Sequence, residues 1–210
     1  MEKTFPVILK LILVSLLLIN FNVNVSAEAQ NPLNKLLIQY SLKLKKGGNL
    51  SIVENFEFRA KDKTFRTIIA QGDKTRIEIE IIKPMAEKEA TVYSKLKYIV
   101  VENLYTSQTI PYPGALTKTT ECPEDKKPEK ATAEILGKTV KVLFTNATKR
   151  YVIGVWDDDL IKQKAAYAVF YDEINRTHYQ IMIFQPSESF NNNEMLEILE
   201  SFGKIGKKSE

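Results

Sequence analysis

The sequence predicts an α+β fold: a mostly antiparallel, meandering β-sheet with a C-terminal amphipathic helix packed on one face. Three observations carry this expectation. Apolar and polar residues alternate in several runs, as in Ile77, Ile79 and Ile81 against Glu78 and Glu80, the period of a half-buried strand. These runs are separated by short polar breaks such as Gln71-Gly-Asp-Lys74, which suit hairpins rather than helical crossovers. The chain then closes with Met195, Ile198, Leu199 and Phe202 at i, i+3, i+4 and i+7, a helical stripe that is stable only when it covers something.

Residues 1–27 read as a signal peptide. Lys3 gives a positive start, Leu11 to Phe21 is apolar apart from Ser15 and Asn20, and Val25-Ser26-Ala27 fits the small residues of a cleavage site. Lys10 keeps the apolar run short of the roughly 20 residues a bilayer span needs. The expectation is cleavage and a secreted or periplasmic address, with membrane contact only through this segment if it stays in place. The remainder, 28–204, is expected to be one domain, followed by a basic tail at 205–210 carrying Lys207 and Lys208.

Asn31-Pro32 suits the start of a short helical turn. Ile38, Tyr40, Leu42 and Leu44 alternate with polar residues and predict a first strand, closed by Gly47-Gly48-Asn49. Ser51 to Arg59 resumes it with Phe56 and Phe58 on one face, and Phe65 to Ala70 with Thr75 to Ile82 forms the hairpin that ends at Pro84. Ala90 to Val92, Lys97 to Val101 and Thr106 to Ile110 read as further strands. Pro111-Tyr112-Pro113-Gly114 breaks the pattern, and Pro, Lys, Glu and Thr dominate a long loop expected over 114–134. Two small sheet units, 31–113 and 135–204, are the alternative organisation.

The strand pattern restarts at Val140, Val142 and Phe144, and again at Tyr151 to Trp156. Leu160 to Lys164 suits one helical turn. Ala165 to Tyr171 is nearly continuously apolar, as in a strand covered on both faces. Tyr179 to Phe184 is the last strand, ended by Pro186. In the closing helix, Asn191 as N-cap puts Glu194 at N3, and Phe190 and Met195 at the two ends of a hydrophobic staple. Gly203 stands where a left-handed residue would end the helix.

Composition narrows the function. The 30 Lys and Arg against 26 Asp and Glu give a net charge of +4. They are interspersed, with no basic stripe interleaved with aromatics, so nucleic acid is not the expected partner. Cys122 is the only cysteine, which excludes an internal disulfide and leaves a free thiol or an intermolecular bridge. His178 is the only histidine, expected at the surface beside a turn. There is no His/Cys metal cluster, phosphate loop or dinucleotide fingerprint, and no cofactor is expected. Asp157, Asp158 and Asp159 are the one set of carboxylates that suits a hard cation, against the plainer reading of a loop with an N-cap aspartate. Glu78 and Glu80 read as a solvated strand face. Among the strand aromatics, Tyr98, Trp156, Phe170, Phe184 and Phe202 are the candidates to line an apolar ligand site between sheet and helix.

Two partial resemblances add to this. Thr64-Phe-Arg, Gln71-Gly-Asp-Lys-Thr-Arg-Ile-Glu-Ile-Glu80, Lys97-Tyr98-Ile-Val and Tyr105-Thr-Ser-Gln-Thr-Ile-Pro111 resemble LolA-like periplasmic lipoprotein carriers, which implies a curved antiparallel sheet around an acyl-chain cavity. Tyr179-Gln-Ile-Met-Ile-Phe-Gln-Pro186 with Leu196 to Phe202 is similar to the last strand and helix of PsbP-like proteins, which implies an exported accessory protein without catalysis. The expected function is therefore a non-enzymatic exported binding or assembly-accessory protein, whose partner is an apolar small molecule or another exported protein. The alternatives are a surface interaction protein bridged through Cys122 and a metal-dependent enzyme using Asp157 to Asp159.

Overall fold

The computed structural model describes residues 32–46, 49–106, 119–121, 127–146 and 163–204. The expectations for the signal segment, Pro111 to Gly114, Cys122, Tyr151 to Leu160 and the tail beyond Lys204 lie outside these residues. The elements are α1 (Pro32–Ile38), β1 (Leu42–Leu44), β2 (Ser51–Ala60), β3 (Lys63–Gln71), β4 (Arg76–Lys83), α2 (Glu87–Asn103), β5 (Leu104–Thr106), β6 (Thr119–Glu121), β7 (Glu129–Ile135), β8 (Lys138–Asn146), β9 (Gln163–Asp172), β10 (Thr177–Pro186), α3 (Asn192–Glu200) and β11 (Phe202–Lys204).

Seven strands form one sheet in the order β2-β3-β4-β10-β9-β8-β7. Every neighbouring pair in it is antiparallel. β1 with β11 and β5 with β6 make two small ribbons. The fold is thus α+β with a large antiparallel sheet, as the alternation predicts. The turns have local causes. Leu136 and Gly137 both take positive φ (56° and 75°), the backbone that a two-residue hairpin needs to match strand twist. Gly72 closes the β3–β4 turn by donating to the Thr75 carbonyl at 2.8 Å.

One face of the sheet is apolar and doubly covered. Ile77, Ile79 and Ile81 of β4, Tyr179, Ile181 and Ile183 of β10, and Ala166, Ala168 and Phe170 of β9 are buried there. Leu33, Leu36 and Leu37 of α1 and Met195, Ile198 and Leu199 of α3 lie over them, with Leu42, Leu44 and Phe202 closing the layer. Each fully buried Leu, Ile or Met contributes about 1.5–3 kcal/mol, so the closing helix is held by its stripe rather than by propensity. Its N-terminus is capped as expected: Asn191 Oδ1 accepts the N–H groups of Asn193 (2.9 Å) and Glu194 (3.2 Å).

Several local expectations are corrected. The strands expected at Ala90 to Val92 and Lys97 to Val101 are one helix, α2; of the strand expected at Thr106 to Ile110, only Thr106, the end of β5, lies among the described residues. This helix carries apolar residues on two opposite sides: Ala90 and Val101 point inward, while Val92, Leu96 and Ile99 are exposed. That pattern hides the 3.6-residue period. A helix therefore does interrupt the meander, between β4 and β7. The alternation from Ile38 to Leu44 is also only partly a strand. α1 runs through Ile38, Ser41 reverses the chain at φ 60°, and β1 is Leu42–Leu44. Asn34 holds the two together, its Nδ2 donating to the Leu44 carbonyl (2.9 Å) and its Oδ1 accepting the Leu44 N–H (2.8 Å). Within the loop expected over 114–134, Thr119–Glu121 are β6 and the stretch from Glu129 is β7, whose Lys and Glu residues disguise a strand; 114–118 and 122–126 lie outside the described residues. Gln163 and Lys164 belong to β9 rather than to a helical turn, and Gly203 pairs with Lys43 in the small ribbon while Ser201 caps α3.

Asn191→Ala is expected to destabilise the fold by about 1 kcal/mol through the lost cap, and Asn192→Ala by less than about 0.5 kcal/mol; equal losses in urea melts would remove the cap from this account.

Candidate functional site

The second face of the sheet is covered by α2 and concentrates the polar chemistry of the described residues. The alternation that turns Ile77, Ile79 and Ile81 to one side turns Glu78, Glu80 and Ile82 to the other. In β10 the same face carries His178, Gln180, Met182 and Phe184, opposite Ile82, Glu80, Glu78 and Arg76. α2 lies over this row with Ala90, Ser94, Lys97, Tyr98 and Val101 at helical spacing.

The polar groups pair within the sheet and across to α2. Glu78, 2% exposed, accepts from Arg76 Nε at 2.8 Å. Glu80 faces Lys97 Nζ at 3.5 Å. Tyr167 donates its hydroxyl to Gln180 Oε1 at 3.0 Å, and burial, foremost, raises its pKa. Nε2 of Gln180 is buried without a partner. His178, 1% exposed, has its Nε2 3.0 Å from Ser94 Oγ and meets the Tyr93 ring edge-on at 4.9 Å. Burial first, and the charge of Lys97 second, lower its pKa to about 4. His178 is thus a buried, neutral histidine rather than the surface residue its place near a turn suggested. Glu78 is likewise buried, because α2 covers what the alternation presented as a solvated face.

Tyr98 plays the most specific part. Its hydroxyl accepts the Val169 N–H (3.0 Å) and donates to the Lys141 carbonyl (2.5 Å). These backbone groups belong to β9 and β8, beyond the last paired residues of that ladder, Val142 and Ala168. One side chain of the helix therefore completes the ladder where the two strands part. Burial pushes its pKa up to about 12. Lys138 does the same further on, donating from Nζ to the Tyr171 carbonyl at 3.0 Å. Glu102 at the end of α2 meets Lys141 of β8 and, at 3.2 Å, Lys130 of β7.

This layer is built for cohesion. A Ser–His pair acts as nucleophile and base only where the imidazolium formed by taking the proton is stabilised, ordinarily by a carboxylate. Here burial and Lys97 oppose that charge. Glu78 is paired with Arg76 of its own strand and Glu80 with Lys97 of α2, and no group of three or more metal-ligating side chains occurs among the described residues.

The candidate ligand-lining residues divide between the two faces. Phe170 and Phe202 are buried in the layer under α1 and α3, Phe170 stacked on Tyr179 at 5.0 Å. Phe184 packs under α2 beside Tyr98 and Tyr167. Trp156, Cys122 and Asp157 to Asp159 lie outside the described residues. The sequence did signal the polar layer, since His178 and Gln180 alternate with Tyr179 and Ile181 in an otherwise apolar strand. Its partner element is hidden in the sequence because the apolar residues of α2 fall on two opposite sides.

Two measurements check this layer. The folded His178 pKa lies below its unfolded value of about 6.5, so its contribution is complete above pH 6.5 and is lost as pH falls towards 4. The loss approaches about 3 kcal/mol, and His178→Gln should flatten this part of a stability-versus-pH curve. Tyr98→Phe leaves a backbone N–H and a carbonyl unpaired and should cost about 1–3 kcal/mol; an unchanged melting temperature would show that the strand ends find other partners.

Compared with family models, curated proteins and solved structures, the chain matches none.

Proposed function

We propose that this is an exported, non-enzymatic accessory protein that acts by binding another exported protein. One observation carries the reading: α2 presents an apolar stripe to solvent. Val92, Leu96 and Ile99 recur at i, i+4 and i+7 on its outward side, and Leu96 is 56% exposed. A helix covering a sheet needs one apolar face, and α2 already uses its other side for that. A second one, bordered by Lys88 and Lys95, has the character of a helix-in-groove or helix-on-helix contact. The polar groups under α2 serve cohesion, which leaves the surface rather than the interior for function. The likeness of the last strand and helix to PsbP-like accessory proteins points the same way. The apolar-ligand form of the reading is weaker here, because Tyr98 and Phe184 are separated by the sheet from Phe170 and Phe202.

A photo-crosslinking residue placed at Leu96 in the host is expected to give an adduct with one exported protein, and the same residue at Asn193 on α3 none. Leu96→Glu should abolish that contact and change stability by less than about 0.5 kcal/mol. Native mass spectrometry of the purified mature chain provides the opposing result: a bound small molecule of fixed mass, with no position-specific adduct, would overturn the proposal in favour of a carrier.

A further inference from the structure

The two edges of the seven-stranded sheet are finished differently. At the β7 edge, Glu200 of α3 accepts the Glu134 N–H at 3.4 Å, so a side chain occupies an outward backbone donor. At the other edge, β2 pairs only with β3 among the described residues. β2 is ten residues long. Its first part is blunted by the register shift between Ile52 and Glu54, a device that bends an edge away from pairing. From Phe56 to Ala60 the described residues give the edge no bulge, proline or lysine, only the charges of Glu57 and Arg59, and Phe56 is 60% and Phe58 47% exposed.

We infer that this edge pairs with the β2 edge of a second copy of the chain, in a register centred on Phe58. The backbone is suited to it. The two-residue turn after Ala60 makes Ala60 and Lys63 a hydrogen-bonded pair. Alternation then points the N–H and C=O groups of Glu57 and Arg59 outward. A two-fold axis normal to the sheet keeps each face on its own side, so only registers centred on a residue are allowed. Charge chooses among them. Centring on Glu57 sets two Glu57 carboxylates directly opposite. Centring on Phe56 sets Glu57 against Asn55 and Arg59 against the bulged Val53. Centring on Phe58 sets Glu57, whose carboxylate also meets Arg66 and Tyr40 of its own chain, against Arg59 twice, and Phe56 against Ala60 on the other face.

The aromatic side agrees. Phe58 already stacks on Phe65 of β3, rings 4.7 Å apart and 3° from parallel. Opposing Phe58 rings across the axis extend this into one ladder of four aromatics through both copies. The contact is short, so the dimer is weak and depends on concentration. It goes beyond the accessory role proposed above and rests on a different surface, β2 rather than the outward stripe of α2.

Sedimentation equilibrium of the mature chain in a Cys122→Ser background, from micromolar to millimolar, should show a reversible dimer that weakens with added salt. Arg59→Glu sets like charges opposite twice and should weaken it by about tenfold. Phe58→Cys should form a disulfide-linked dimer under mild oxidation, because a non-hydrogen-bonded pair brings Cα atoms to about 4.5 Å. Phe56→Cys should not, because this register sets the two copies of residue 56 about 14 Å apart. A monomer at all concentrations, a dimer indifferent to Arg59→Glu, or linkage at position 56 as fast as at 58 would overturn the inference. The first two measurements keep it testable if the cysteine variants misfold.

Discussion

The pairing of β10 with β4 is the constraint on which the rest of the molecule depends. A three-strand meander, β2 to β4, and a four-strand meander, β7 to β10, meet only at that seam within the sheet. β10 is buried at every residue from Thr177 to Gln185, so it has no free face on which to absorb an error. Its register sets Ile181 opposite Ile79 and Gln180 opposite Glu80. A slip of one residue would turn Ile77, Ile79 and Ile81 towards Lys97 and Ser94, and press Glu78 and Glu80 into the layer under α1 and α3. Carboxylates there would lack cations, at a cost of several kcal/mol. The polar residues of this seam thus specify alignment whatever their net contribution to stability.

The same seam explains why α2 differs from α3. α3 meets a mostly apolar surface, relieved by Gln185, which donates to Glu194 at 3.0 Å, and is held chiefly by its stripe and its Asn191 cap. α2 meets a row that contains Glu80, Gln180 and His178, so it must bring Lys97, Ser94 and tyrosine hydroxyls with it. Tyr98 goes further and stands in for a missing pair of backbone partners between β8 and β9. Docking of α2 and completion of the sheet are consequently one event. A substitution that lifts the helix also unpairs the ladder beneath it, which ties a long-range contact to local strand order.

How much of this was legible in the sequence follows from which periods were clean. β4 and β10 were readable because Ile77 to Ile81 alternate cleanly with Glu78 and Glu80, and β10 is a β-rich run ended by Pro186. The hairpin at Gly72 and the cap at Asn191 were readable because their chemistry is local. α2 was not, because Val92, Leu96 and Ile99 fill the side where a helix ordinarily shows charge. β7 was not, because an edge strand rich in Lys and Glu has the composition of a loop. Tyr98 and Phe184 stand out in the sequence only as candidates for ligand lining. The role of Tyr98 depends on a backbone gap between strands far apart in sequence, and no local pattern encodes such a gap. His178 was misplaced for the same reason, since its burial comes from a helix some 84 residues earlier in the chain.

Both exposed apolar groups stand on the same side of the sheet. Phe58 stacks on Phe65, and Phe65 packs with Ala90 and Tyr93 of α2. The edge aromatics and the outward stripe of α2 therefore belong to the α2 side. The opposite side is closed by α1, α3 and the small ribbon, and its outer contacts are polar, such as Lys46 with Glu197 at 2.9 Å. An apolar side chain left in water forgoes about 25 cal/mol for each Å² it does not bury. Spread over a whole surface this is ordinary; gathered mostly on one side, with Ile38 of α1 the exception on the other, it gives the molecule a direction. The polar layer then has a second consequence. By fixing α2 through Ser94, Lys97 and Tyr98 it holds the helix in one rotation, and that rotation alone decides which residues face outward. The residues that lock the interior are the ones that aim the surface.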